Sequence, residues 1–220
     1  MTDLPMSFPL IVAQHRRWLR ARGLLARPWL ILGAAPQPSL PADRPADLVH
    51  AYVKLAGRSA AKLGLPPADL TFLPRKVSGP ALDGLTLGNV LWMGRGLTFA
   101  TKLRRLVGHT RSAECDMTNG DRDRYILRTL GSLFAGEGND ARPSNGVALV
   151  CFAIAVGVPR IIVAGISLES DGYEYDPAAR TRRHVPQDRA ALREIAKRYP
   201  QVVTTEPGLH RLTGLPLLAS

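Results

Sequence analysis

The sequence predicts an α/β domain: a single mixed, mainly parallel sheet flanked by helices, Rossmann-like, with a lid segment. Three observations predict it. Short apolar, β-branched runs alternate with stretches of helical periodicity along most of the chain. Residues 141–168 read as a polar turn, an apolar helix over Gly146 to Val156, and a buried strand over Arg160 to Gly165. The 220 residues are 45% hydrophobic, ample for one core, yet no run reaches the ~20 apolar residues of a membrane span.

The segment 1–27 is set apart as a basic N-terminal helix, in which residues 11–27 place Val12, Trp18, Leu19 and Leu25 near one face among arginines. Residues 28–220 form the α/β domain. Pro28 to Gly33 is its first strand and ends in the tight loop Ala34-Ala35-Pro36, where ligands of such domains bind. Asp47 to Leu55 is a second strand with Lys54 near its end, Ser59 to Leu63 starts a short helix, and Leu70 to Leu73 is a third strand. Leu85 to Met93 reads as a strand and Thr98 to Val107 as a basic amphipathic helix. Asp116 to Tyr125 mixes charges and turn residues ahead of a helix over Tyr125 to Phe134. In the central unit Gly157 stops the apolar helix and Pro159 prevents its continuation. Beyond it, residues 169–187 form an irregular, polar, lid-like segment. Asp188 then N-caps a helix, Arg189 to Tyr199, which leads to a closing strand, Val202 to Thr204.

Twenty-nine Lys and Arg against 18 Asp and Glu leave a net charge of +11, which favours an anionic partner. Nucleic acid is set aside: aromatic residues are only 6%, and the arginines are dispersed rather than interleaved with stacking side chains. The basic N-terminal helix could rest on an anionic membrane surface, or pack on the domain's own flank. With no secretory signal at the N-terminus, the expected location is cytoplasmic, with peripheral contact at the inner membrane face. Cys115 and Cys151 give neither a disulfide framework nor metal-ligand spacing and read as free thiols, so no metal site is expected. Arg142, Ser144, Asn145 and Gly146 fall at the start of the apolar helix, where unsatisfied N–H groups and the helix dipole favour an anion.

The order Arg142-Pro-Ser-Asn-Gly146, apolar helix, Gly157, strand, Gly165-Ile-Ser-Leu168, tyrosine-bearing loop, His184, helix and Val-rich strand resembles bacterial sialyltransferases of glycosyltransferase family 42 and related sialyltransferase-like proteins. The match is best over residues 139–218. The resemblance implies a nucleotide-sugar-binding α/β domain with a lid, using CMP-sialic acid as donor and no cofactor or metal. The implied acceptor is a surface glycan or glycolipid, as in lipopolysaccharide or capsule assembly. The resemblance makes His184 the catalytic base, and imidazole is the side chain whose ordinary titration lies nearest neutral pH. Arg142 matches an active-site arginine, whose planar fork suits phosphate or carboxylate. Tyr173 or Tyr175 would steady the departing CMP phosphate. Gly33, Lys54, Ser144, Asn145, Gly146, Gly165 and Ser167 would bind the donor.

Departures from the family accompany the likeness. Gly33-Ala34-Ala35-Pro36 stands where the family reads Gly-Asn-Gly-Pro-Ser, and Val53-Lys54 where it has Arg-x-Asn. Ser167 replaces the Asp of Gly-Ile-Asp-Phe, and Glu169 replaces a leaving-group tyrosine. Lys54 would neutralise a phosphate, and Glu169 beside one would oppose it. Two expectations follow: an inverting, metal-independent glycosyltransferase using a CMP-activated acidic sugar, or a catalytically inactive sialyltransferase-like protein that binds nucleotide or glycan.

Overall fold

The computed structural model describes residues 7–94, 112–137, 141–175 and 183–219. The helix expected over Thr98 to Val107 and the middle of the lid lie outside the described residues.

Seven strands make one open sheet: β1 (Trp29–Leu32), β2 (Val49–Val53), β3 (Leu70–Pro74), β4 (Asn89–Gly94), β5 (Glu114–Thr118), β6 (Ile161–Ala164) and β7 (Val202–Thr204). Their order is β5-β4-β3-β2-β1-β6-β7. Every pairing between these strands is parallel, so the sheet is purely parallel rather than mixed. The reason lies in the connections: each is long enough to carry the chain back to the same end of the sheet before the next strand begins.

Among the described residues six α-helices accompany the sheet: α1 (Phe8–Arg20), α2 (Ala56–Lys62), α3 (Asn119–Leu130), α4 (Asn145–Val156), α5 (Val185–Arg198) and α6 (Pro207–Thr213). Residues of α1, α3, α4 and α5 share one core with Trp29 and Ile31 of β1, while α2 packs against Leu30 and Leu32 on the opposite face. A strand covered on both sides cannot alternate polar and apolar residues, which is why β1 and β6 read as continuous apolar runs. Each large side chain buried in this way stabilises by about 1.5–3 kcal/mol. The helix α4 is apolar all round because it too is enclosed, between the sheet and α1, α3 and α5. Its last carbonyl turn is closed by Gly157 at φ +82° and by Arg16, whose guanidinium donates to the Val156 carbonyl.

The N-terminal helix is part of this core, not an appendage. Ile11, Trp18 and Leu19 are buried, and so is His15, whose Nε2–H donates to the Asp116 carbonyl while the Tyr125 hydroxyl donates to its Nδ1 at 2.8 Å. The apolar stripe of this helix is therefore used internally. The helix ends at Arg20 rather than at residue 27, ahead of Gly23 in a left-handed conformation. No helix among the described residues is long and apolar enough to cross a membrane.

Other elements differ from expectation for local reasons. The polar stretch before Tyr125 contains the edge strand β5, in which only Cys115 and Met117 face the core. The following helix starts six residues earlier than Tyr125, at Asn119, because Thr118 and Asp121 form a reciprocal capping box. Pro186 sits in the first turn of α5, so that helix starts at Val185 and Asp188 lies inside it instead of capping it. The helix α6, begun by Pro207, was not expected at all.

Candidate active site

Strand order reverses between β1 and β6, with β2 to β5 on one side and β7 on the other. In an open parallel sheet the loops leaving such a pair diverge and leave a crevice beyond the carboxyl ends of the strands. A cavity of about 650 Å³ occupies that crevice.

Its floor requires glycine. Gly33 N donates to the Ala164 carbonyl and Ala35 N to the Gly165 carbonyl, both at 2.8 Å. A Cβ on Gly33 would lie 2.2 Å from the Gly165 oxygen, and Gly165 itself has φ +63°. The position of Gly165 is fixed by Glu206, the residue preceding α6: its Oε1 accepts from Gly165 N at 2.6 Å and from Ser39 N at 3.2 Å. Burial pushes the Glu206 carboxyl above its ordinary range, although the two N–H donors pull the other way.

One wall is helical. Ser144 Oγ caps α4 by accepting from Val147 N, and Ser144 N donates to Asp188 Oδ1 at 2.7 Å, which ties the starts of α4 and α5 together. Asn145 Oδ1 accepts from Arg122 of α3 at 3.1 Å. The backbone N–H groups of Asn145 and Gly146, in the first turn, have no partner within the helix, so its positive end borders the cavity. A Cβ on Gly146 would meet Ile166 Cδ1 at 2.8 Å, the end of a flexible side chain that would have to shift. His184, preceding α5, donates from Nδ1 to the Arg142 carbonyl at 2.9 Å. A carbonyl can only accept, so the neutral ring carries its basic lone pair on Nε2.

The other wall comes from strand ends. Lys54 follows β2 and Lys76 follows β3, and both line the cavity. Lys54 has φ +56°, a left-handed backbone held by its N–H donating to the Phe72 carbonyl at 2.9 Å. Its ammonium is pushed below the ordinary lysine range, first by burial and then by Lys76 and Arg122. Arg183, just before His184, adds a third cation.

The described part of the segment expected as a lid is hydrogen-bonded to the loop after β1. Tyr173 and Tyr175 line the cavity with rings stacked in parallel, centroids 5.3 Å apart. Between them Glu174 N donates to the Ala34 carbonyl at 3.1 Å, and Glu174 Oε2 accepts from Gln37 N at 2.8 Å. Lys62 Nζ donates to the Glu174 carbonyl.

Of the residues expected at the site, Gly33, Lys54, Ser144, Asn145, Gly146, Gly165, Ser167, Tyr173, Tyr175 and His184 border this one cavity. The Arg142 guanidinium is not among its lining. It donates to Asp123 Oδ2 at 2.7 Å, beside Arg122, whose Nε donates to Asp123 Oδ1, and Arg142 reaches the site through its carbonyl. Glu169 does not oppose an anion there: its two oxygens accept from Arg211 at 2.6 and 2.8 Å, outside the cavity. Ser167 Oγ closes a turn by accepting from Glu169 N and Ser170 N. Sequence reasoning missed Lys76 and Arg183 and misplaced Asp188. For Lys76 the signal was available, since it follows a strand on the side of the sheet where ligands bind. Cys115 and Cys151 are separate buried thiols, and the described residues contain no cluster of three or more potential metal ligands.

No family model and no curated protein matches the sequence. Solved structures do match in shape. The sialyltransferase CstII from Campylobacter jejuni in complex with CMP-3FNeuAc superposes with a TM-score of 0.53 at 13% identity, over 88% of this chain and 86% of that one. The same enzyme with a trisaccharide acceptor and CMP gives 0.56, with the same identity and coverage. The monofunctional alpha-2,3-sialyltransferase Cst-I from Campylobacter jejuni gives 0.58 at 14% identity, over 88% and 81% of the two chains. The open parallel sheet and its helices thus share the fold of these bacterial sialyltransferases.

Proposed function

We propose that the chain is an inverting glycosyltransferase that moves an acidic, sialic-acid-like sugar from a CMP-activated donor to a surface glycan or glycolipid, without a metal. The observation that carries this reading is the convergence of a base and several cations on one cavity: His184 on the helical wall, Lys54 and Lys76 opposite. The acceptor oxygen attacks the anomeric carbon as the bond from that carbon to the phosphate oxygen breaks. The acceptor proton passes to His184 Nε2, and the Arg142 carbonyl holds the resulting imidazolium through Nδ1–H. CMP departs with the bonding pair. Its growing charge is met by Lys54, Lys76, the first turn of α4 and a hydroxyl of Tyr173 or Tyr175. Asp123 holds Arg142, and through it His184, in register.

The fold likeness to enzymes solved with CMP and with an acceptor supports this donor class. Contact with an anionic inner membrane surface, if the acceptor is lipid-linked, would use the exposed Arg17 and Arg20 of α1 and would weaken with salt. The test is direct. CMP should raise the melting temperature more than UMP or GMP, and His184→Ala should abolish transfer, by at least ~100-fold, while keeping the CMP shift. No shift with millimolar CMP would remove the donor assignment.

The inactive, ligand-binding reading keeps one observation in its favour, the alanines at 34 and 35 in place of an amide side chain. Transfer or donor hydrolysis that disappears in His184→Ala excludes it.

A further inference from the structure

Lys54 and Lys76 place two ammonium groups on one wall of the cavity, and among the described residues neither forms an ion pair or hydrogen bond through its side chain. Lys54 also holds a left-handed backbone, which an unbranched L residue adopts only at a cost and glycine adopts freely. The element continues through a backbone hydrogen bond from Lys54 N to the Phe72 carbonyl, which any residue but proline can make. A glycine would be the more stable choice at the end of β2. Lys54 is half-buried beside the exposed Lys76, with the Arg122 guanidinium also bearing on it from α3. Strain and like-charge repulsion are thus concentrated on one residue, and neither helps the empty fold.

From this juxtaposition we infer that Lys54 and Lys76 form a phosphate clamp: a pair of cations kept at the expense of stability, whose missing counter-charge is the phosphate of a nucleoside monophosphate ester. The inference deepens the proposed function and rests on it for the identity of the nucleotide, but the clamp itself requires only a phosphate. A bound phosphate oxygen between the two ammonium groups accepts from both and removes the repulsion between them. The same contact strengthens as the ester oxygen gains charge on leaving, so the pair acts on rate as well as on binding. Burial and the two neighbouring cations, which depress the ammonium's proton affinity, are relieved by the same ligand.

The test uses the full chain and the variants Lys54→Gly, Lys54→Met and Lys76→Met, with melting temperature and calorimetric titration of CMP, GMP and inorganic phosphate. Without ligand, Lys54→Gly should melt about 2–4 °C higher than the parent, by release of backbone strain and of charge repulsion. Lys76→Met should also melt higher, by a smaller amount. In all three variants the affinity for CMP should fall about 10- to 100-fold, the loss of one charge-assisted contact. A Lys54→Gly variant that melts lower than the parent, or variants that bind CMP as the parent does, would overturn the clamp while leaving the donor assignment in place. If the parent binds GMP or phosphate, in a Lys54-dependent manner, but not CMP, the clamp stands and the cytidine assignment falls. If none of the three binds the parent, both are overturned.

Discussion

The helical wall of the cavity, built on the first turns of α4 and α5, and the strand wall, built on the ends of β2 and β3, hold their polar groups in opposite conditions. On the helical wall Ser144 N, Asn145 Oδ1 and His184 Nδ1 each have a partner within the protein, supplied by Asp188, Arg122 and Arg142. On the strand wall Lys54 faces the charge of the exposed Lys76, and burial adds to the burden on Lys54. A satisfied wall keeps its geometry whether or not a ligand is present, which suits a base that must meet one hydroxyl. An unsatisfied wall draws its complement from the ligand, which suits the capture of an anion.

Three changes break or sharpen this comparison. The largest effect should come from Gly33→Ala, because the new Cβ would strike the Gly165 carbonyl, a backbone atom held by the sheet. We expect about 3 kcal/mol of destabilisation in denaturant titration, the upper end of overpacking costs. A cost below ~1 kcal/mol would mean that the floor yields and does not hold the walls apart. Next, Asp188→Ala leaves Ser144 N without its carboxylate and should cost about 1.5–3 kcal/mol. If Lys54→Ala proved equally destabilising, the contrast between the walls would be lost.

The smallest effect, and the one with a pH signature, is Glu206→Gln. Burial raises the Glu206 carboxyl above its ordinary 4.5, so the folded chain disfavours the ionised form. Its contribution to stability is complete below 4.5 and is lost as pH rises through the raised folded value. The glutamine stays neutral throughout, so the stability of the variant relative to the parent should increase over the interval in which pH rises from 4.5 through the raised folded value. Denaturation midpoints that keep a constant difference over that interval would refute the assigned burial.

Legibility in the sequence followed burial. The strands β1 and β6 and the helix α4 are enclosed on both sides, so their residues carry no competing polar signal and their positions were read nearly to the residue. The strand β5 lies at the sheet edge and spends only Cys115 and Met117 on the core, so its polar residues read as a turn. The helix α6 is short and announces itself only by Pro207. At the site, the residues that border the cavity through their own element were legible, as with Ser144 at the start of α4 and Gly33 after β1. What could not be read is the partner of a long side chain. Arg142 and Glu169 looked like site charges, but each lies closer in space to an opposite charge elsewhere, Asp123 and Arg211, and neither pairing leaves a mark in local sequence.

The clasp between α1 and the rest of the core sets a condition on how the chain reaches its fold. Arg16 meets the Val156 carbonyl 140 positions later, and His15 meets Tyr125 110 positions later. The helix α1 is made before α3 and α4 and has no seat until they have followed it, so its Ile11, Trp18 and Leu19 stripe must wait in water meanwhile. Assembly therefore cannot spread outward from α1, and a helix made before its partners is seated only after them.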